Sequence, residues 1–148
     1  MTERQQLFQD LVENFMGMYK GILRQHTSAE VLPYGQKAAL FTVAKHETLN
    51  VKELACILCV TSGAVTQHVE ALVQAGLVVR EADPDDRRIV TLKLTEAGKK
   101  LISKLKQQRL KMMEELFVDV GDAEIAAFVN IAGRISRKIQ NKEETKNV

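Results

Sequence analysis

The chain has 148 residues, 45% hydrophobic and 27% charged, which fits one globular domain and is too apolar for disorder. No apolar run approaches the roughly 18 residues of a membrane span, the start MTERQQLFQDLVENF has no signal-peptide core, and two cysteines make no disulfide framework, so a cytoplasmic protein is expected. The net charge of +2 hides an excess over residues 99–148, while residues 34–98 hold seven basic and eight acidic side chains. A nucleic-acid contact in that middle stretch would need a few placed groups rather than a broad positive field.

Leu, Ala, Glu, Lys and Gln are plentiful beside 2 Pro and 8 Gly, so helix should dominate. From Leu7 to Leu23 an amphipathic helix is predicted, with Leu7, Leu11, Phe15, Met18 and Ile22 at helical spacing and Phe8, Val12, Met16 and Tyr19 widening the stripe. Pro33 can open a second helix that Ala38, Leu40, Phe41 and Val43 carry to about Lys45. Asn50 with Glu53 three residues on reads as a capping box, with Leu49 as staple, for a short third helix from Val51 to about Leu58. Thr61 is the next N-cap, and a fourth helix runs from Ser62 to Gln74, with Gly76 placed for a left-handed C-terminal turn. Two strands are predicted, 77–80 and 89–94, joined by the polar turn Asp83-Pro84-Asp85-Asp86-Arg87-Arg88. Thr95 caps a long fifth helix with Leu101, Leu105, Met112 and Leu116 inward. Gly121-Asp122 breaks the chain before a sixth helix in which Ile125, Phe128, Ala132, Ile135 and Ile139 are spaced like heptad positions.

This order, mainly α with a small β-hairpin, is that of a winged helix-turn-helix over residues 33–98. The outer segments, 1–32 and 99–148, read as a helical dimerisation lobe of the same single domain. On the fourth helix Val65, Val69 and Leu72 fall on one face, leaving Ser62, Gly63, Thr66 and Gln67 to face a ligand, with Glu70 and Gln74 on the same side. Gln can pair with adenine, Thr can meet a thymine methyl, and Ser and backbone N–H groups can hold phosphate. An ordinary solvated face is the plain alternative. At the hairpin tip an acidic run precedes Arg87 and Arg88. Asp86 is expected to hydrogen-bond the Arg88 guanidinium and hold it extended for a narrow minor groove; a solvated turn with local ion pairs is the alternative.

Leu49-Asn50-Val51-Lys52-Glu53-Leu54-Ala55, Val60-Thr61-Ser62-Gly63-Ala64-Val65-Thr66-Gln67-His68-Val69, the wing from Leu72 through Gly76 and Arg80 to Arg88, and Leu94-Thr95-Glu96-Ala97-Gly98 together resemble the MarR family of transcriptional regulators. The resemblance implies a homodimeric, sequence-specific DNA-binding repressor, not an enzyme, acting on a pseudo-palindromic operator in double-stranded DNA. Thr61 and Arg87 would touch phosphate, Arg88 would enter the minor groove, and His68 is a phosphate contact or a boundary histidine. Gln67 departs from the Arg frequent in the family and supplies no charge. The resemblance also implies release by a small phenolic or lipophilic effector, for which Phe15, Tyr19, Tyr34 and Met112 are candidate lining residues, with packing an equal alternative.

Cys56 and Cys59 form a C-x-x-C pair. A thiol–disulfide enzyme needs the first cysteine at a helix N-terminus, and Cys56 lies inside a helix. A metal sensor of the ArsR type would place two cysteines on this helix, but two thiolates leave a tetrahedral site short of ligands. The preferred expectation is that both are small buried hydrophobes, with a thiol- or metal-responsive sensor as the alternative. Peroxide-sensing members of the resembled family carry a cysteine in the first helix, and none precedes Cys56 here. No catalytic set, cofactor site or metal site is expected.

Overall fold

Residues 2–25, 32–83, 85, 86 and 88–146 are described by the computed structural model of the chain. They form α1 (Glu3–Gln25), α2 (Tyr34–Lys45), α3 (Val51–Leu58), α4 (Ser62–Gln74), β1 (Val78–Ala82), β2 (Val90–Leu94), α5 (Glu96–Leu116) and α6 (Asp122–Lys146). The architecture is mainly α with one antiparallel hairpin, in the order of a winged helix-turn-helix. The chain falls into two compact units, Met1–Lys99 and Lys100–Val148, so the boundary lies inside α5.

Caps fix the first unit. Asn50 Oδ1 accepts the Glu53 N–H and Glu53 Oε2 accepts the Asn50 N–H, each at 2.9 Å, closing the capping box that starts α3. Thr61 Oγ1 accepts the Ala64 N–H at 3.2 Å and starts α4. α4 ends at Ala75, and Gly76 at φ 68° turns the chain into the hairpin, a backbone that an L side chain adopts only with strain. β1 pairs with β2 so that Val78 faces Leu94 and Arg80 faces Leu92. β1 extends two residues beyond the predicted end because the ladder continues through Glu81 and Ala82.

Leu40 from α2, Leu54 from α3, Val65, Val69 and Leu72 from α4, and Val78 and Leu92 from the hairpin are fully buried and make the core. The Leu92 N–H donates to the Leu49 carbonyl at 2.7 Å, joining the return strand to the entrance of α3.

The start of α5 is locked to the base of the wing. The Thr95 N–H donates to the Leu77 carbonyl at 3.1 Å and its hydroxyl to the Gly76 carbonyl at 2.6 Å. Thr95 Oγ1 in turn accepts the Gly98 N–H at 3.0 Å. A Cβ on Gly98 would fall on the Leu77 carbonyl oxygen. The sequence Leu94-Thr95-x-x-Gly98 is therefore a docking device: one residue bonds across and back, and the other is bare where two backbones meet.

In the second unit, Glu124 Oε2 accepts the Gly121 N–H at 3.1 Å at the start of α6, and the rings of Phe117 and Phe128 lie 6.2 Å apart. Ile102 is the buried large apolar residue of α5, at 5% exposure, which the periodicity did not single out; Leu116, expected inward, is 49% exposed. The heptad-like residues of α6 are likewise open, Phe128, Ile135 and Ile139 at 44–53%. α1 leaves its whole apolar stripe exposed from Leu7 to Tyr19.

Candidate nucleic-acid interface

The path from α3 into α4 bends by 114°, within the range of helix-turn-helix pairs. α4 is strictly two-sided. Val65, Val69 and Leu72 are at 0% exposure, while Thr61, Ser62, Gly63, Thr66 and Gln67 are all exposed over its first two turns. The capping bond of Thr61 satisfies only the Ala64 N–H, and the N-terminal turn leaves the positive end of the helix dipole facing out. Thr66 donates its hydroxyl to the Ser62 carbonyl at 2.7 Å. Its donor is spent on the helix, and what it offers outward is a methyl group and an oxygen that only accepts.

His68 is half-buried, and a Cβ on Gly35 would fall on its Nε2, so the imidazole lies against the first turn of α2. That is the boundary position named as the alternative to a phosphate contact. Glu70, grouped by periodicity with the outward residues, is held by Arg80 of β1 at 3.0 Å. This pair ties the wing to α4, and its ten-residue separation hides it from any local sequence pattern.

The wing tip is organised by backbone capture. Asp83 Oδ1 accepts the N–H of Asp85 at 2.8 Å and of Asp86 at 3.2 Å. The Asp83 N–H donates to the Ile89 carbonyl at 2.8 Å and the Ile89 N–H to the Asp86 carbonyl at 2.9 Å, closing the hairpin. Asp86 Oδ1 accepts the backbone N–H of Arg88 at 3.0 Å. The expected bond to the guanidinium is thereby corrected: the carboxylate lies two residues back in a tight turn, where the amide is the nearest donor. Arg88 is exposed. Arg87 and Pro84 lie outside the described residues. At the foot of the wing Lys93 binds Glu81 at 2.7 Å. That hydrogen bond, then the charge of Glu81, hold the lysine above its usual range.

The expectation of buried cysteines is overturned. Cys56 and Cys59 are both exposed free thiols. α3 buries Leu54 and Ala55, and Cys56, two residues beyond Leu54, comes round to the opposite side. Among the described residues no three His, Cys, Asp or Glu side chains gather as a metal site. Of the residues named for an effector, Phe15, Tyr19 and Tyr34 in the first unit are 47–73% exposed, and Met112 in the second is half-buried. A groove of about 470 Å³ elsewhere in the first unit is lined by Val43, Lys45, His46, Lys93, Leu94 and Lys99 among others. Among the described residues no single helix is long and apolar enough to cross a membrane.

Residues 32–90 match the sequence profile of the MarR family. The chain is 29% identical over 105 residues to the uncharacterized HTH-type transcriptional regulator YdgJ of Bacillus subtilis, covering 70% of this chain and 64% of YdgJ, just under two thirds of that protein. It is 27% identical to YhbI of the same organism, another uncharacterized HTH-type transcriptional regulator, over 97% of each chain. Among solved structures, a MarR family protein from Bacillus stearothermophilus superposes with a TM-score of 0.80 at 21% identity, over 95% of this chain and 99% of that one, which speaks for the fold.

Proposed function

We propose that this chain is a member of the MarR family, a transcriptional regulator rather than an enzyme, and that it represses transcription by binding a pseudo-palindromic operator as a cytoplasmic homodimer. The observation that carries the reading is the sidedness of α4. Val65, Val69 and Leu72 are consumed by the core, and a capped N-terminal turn presents Ser62, Gly63, Thr66 and Gln67. A helix so placed after a 114° turn enters a major groove with its first residues at the base edges. Gln67 reads adenine, the Thr66 methyl packs on thymine, and Thr61 and Ser62 take phosphate. Arg88 on the closed hairpin enters the adjacent minor groove, with Arg87 on phosphate.

Two copies supply two such helices. The apolar residues left open on α1 and α6 are the material of the subunit contact, and a palindromic site follows from the two-fold symmetry. The segments around residues 33–98 therefore serve as a dimerisation lobe in this reading. The regulator is released by a small phenolic or lipophilic molecule, for which Phe15, Tyr19, Tyr34 and Met112 are the residues to test. The deciding experiment is a gel shift on DNA from upstream of the protein's own coding region, across a salt series. Expected is a specific complex that survives competitor DNA and is weakened by Gln67→Ala. Binding that is equally tight on unrelated duplex, or unchanged by Gln67→Ala, would defeat the reading.

A further inference from the structure

The helix-turn-helix turn holds a feature that DNA binding does not use. Cys59 ends α3 in the left-handed region at φ 53°, the only residue other than glycine with positive φ among those described. Glycine or asparagine is the usual occupant of such a position. Cysteine there carries backbone strain, and because its side chain is exposed it gains no core packing in return. Cys56, three residues earlier, is exposed as well.

One tight turn joins the two residues. The Cys59 N–H donates to the Cys56 carbonyl at 3.1 Å, and Cys59 Sγ lies 3.7 Å from the same oxygen. A turn closed by such a bond brings its end Cα atoms within about 7 Å, inside or close to the reach of a disulfide. We propose that Cys56 and Cys59 are a reversible dithiol–disulfide site, oxidised by small-molecule disulfides, whose closure alters the presentation of α4. The second half of this statement rests on α4 being the DNA-contacting helix.

The chemistry is exchange. The thiolate of one cysteine attacks a sulfur of the small disulfide, forming a mixed disulfide and expelling one small thiolate. The thiolate of the second cysteine then attacks the protein sulfur of that bond and expels the other. One S–S bond forms between the Sγ atoms of Cys56 and Cys59 and the S–S bond of the reagent breaks. Two electrons pass to the reagent, and the two cysteine protons end on the released thiols. Metal capture by the same pair has less support, since no third ligand stands by among the described residues.

Position makes the site consequential. The bond would span the bonds that end α3, Cys59 N–H to Cys56 and Val60 N–H to Ala55, both at 3.1 Å. Val60 leads directly to Thr61, the cap that aims the first turn of α4. Pulling the two sulfurs together reshapes that turn and shifts Thr61, Ser62 and Gly63 relative to the core-bound remainder of α4.

The test equilibrates the full-length protein in mixtures of reduced and oxidised glutathione, then traps free thiols by alkylation and maps the peptides by mass. Expected is an intramolecular Cys56–Cys59 bond, reversed by a dithiol reductant. Operator affinity should fall by about tenfold or more on oxidation and return on reduction. Cys56→Ala and Cys59→Gly should each remove the response while the reduced variants bind as the wild type does. Cys59→Gly retains the left-handed backbone and so guards against misfolding. Mixed glutathione adducts without the internal bond, or an internal bond that leaves operator affinity unchanged, overturn the proposal. If the reduced protein binds no DNA, the assignment of α4 fails, and the peptide map alone still decides whether the dithiol site exists.

Discussion

Gly98 has no side chain because the Leu77 carbonyl occupies the space a Cβ would take. Unlike a flexible side-chain tip, a backbone oxygen cannot swing aside. Gly98→Ala should therefore cost roughly 1–3 kcal/mol, the scale of overpacking, read as a lowered midpoint in urea unfolding. Cys59 is the reverse case. Glycine at φ 53° relieves the strain of the left-handed backbone, so Cys59→Gly should be neutral or stabilising by up to about 1 kcal/mol; a clear loss of stability in thermal melts would show that the thiol packs. At the wing tip, Asp86 holds the Arg88 amide rather than its guanidinium. Removing this acid lowers the repulsion from DNA but frees the turn that sets Arg88. Asp86→Ala should weaken operator binding if the turn matters more, and Arg88→Ala should cost on the order of 1–3 kcal/mol. Titrations of the two variants against one operator decide it: tighter binding by Asp86→Ala leaves the acids with no positioning role.

The helices were readable because their ends are written in short side chains. Asn50 with Glu53, Thr61 and Thr95 all cap where their type and spacing place them. The apolar face of α4 was equally plain, since Val65, Val69 and Leu72 alternate with polar neighbours. α3 gave no such contrast: Leu54 to Leu58 is apolar throughout, so periodicity had nothing with which to tell the side of Cys56 from the side of Leu54. The wing tip escaped for another reason, because its order comes from carboxylates bonding amides, which no charge pattern reveals. Asn50→Ala should cost about 1 kcal/mol by opening the capping box, measurable in chemical denaturation. The ion pairs of the hairpin are half exposed and contribute little, roughly 0–1 kcal/mol for Arg80 with Glu70. Lys93 has its pKa raised by Glu81, so the folded state holds its proton more tightly than the unfolded chain. Any stability from that bond is complete below pH 10.5 and is lost only as the pH climbs through the raised value. Hairpin amide exchange protection, corrected for intrinsic rates, should accordingly show no change from this pair near neutrality.

At the scale of the molecule, the telling quantity is the apolar surface that one chain leaves in water. α1 exposes Leu7, Phe8, Leu11, Val12, Phe15, Met16, Met18 and Tyr19, at 44–62% each. Soluble monomers rarely leave large apolar patches open to water. α6 adds Phe128, Val129, Ile131, Ile135 and Ile139. Light scattering should return twice the 16.6 kDa chain mass at micromolar concentration. Charge placed in the strip, as in Leu11→Glu with Phe15→Glu, should yield monomers with much weaker operator binding. A concentration-independent mass near 16.6 kDa for the wild type would remove the homodimer.

The division of α4 into two faces also bears on how such proteins diversify. Nothing lies within 4 Å of where a Cβ at Gly63 would stand, and its φ is not positive. A side chain there meets no neighbour and replaces a poor helix former in the first turn. If α4 is the DNA-contacting helix proposed above, Gly63 is an unwritten letter on its reading surface. A duplicated copy of this gene could acquire a new operator at that position by a single substitution, without first having to secure a compensating change in the core.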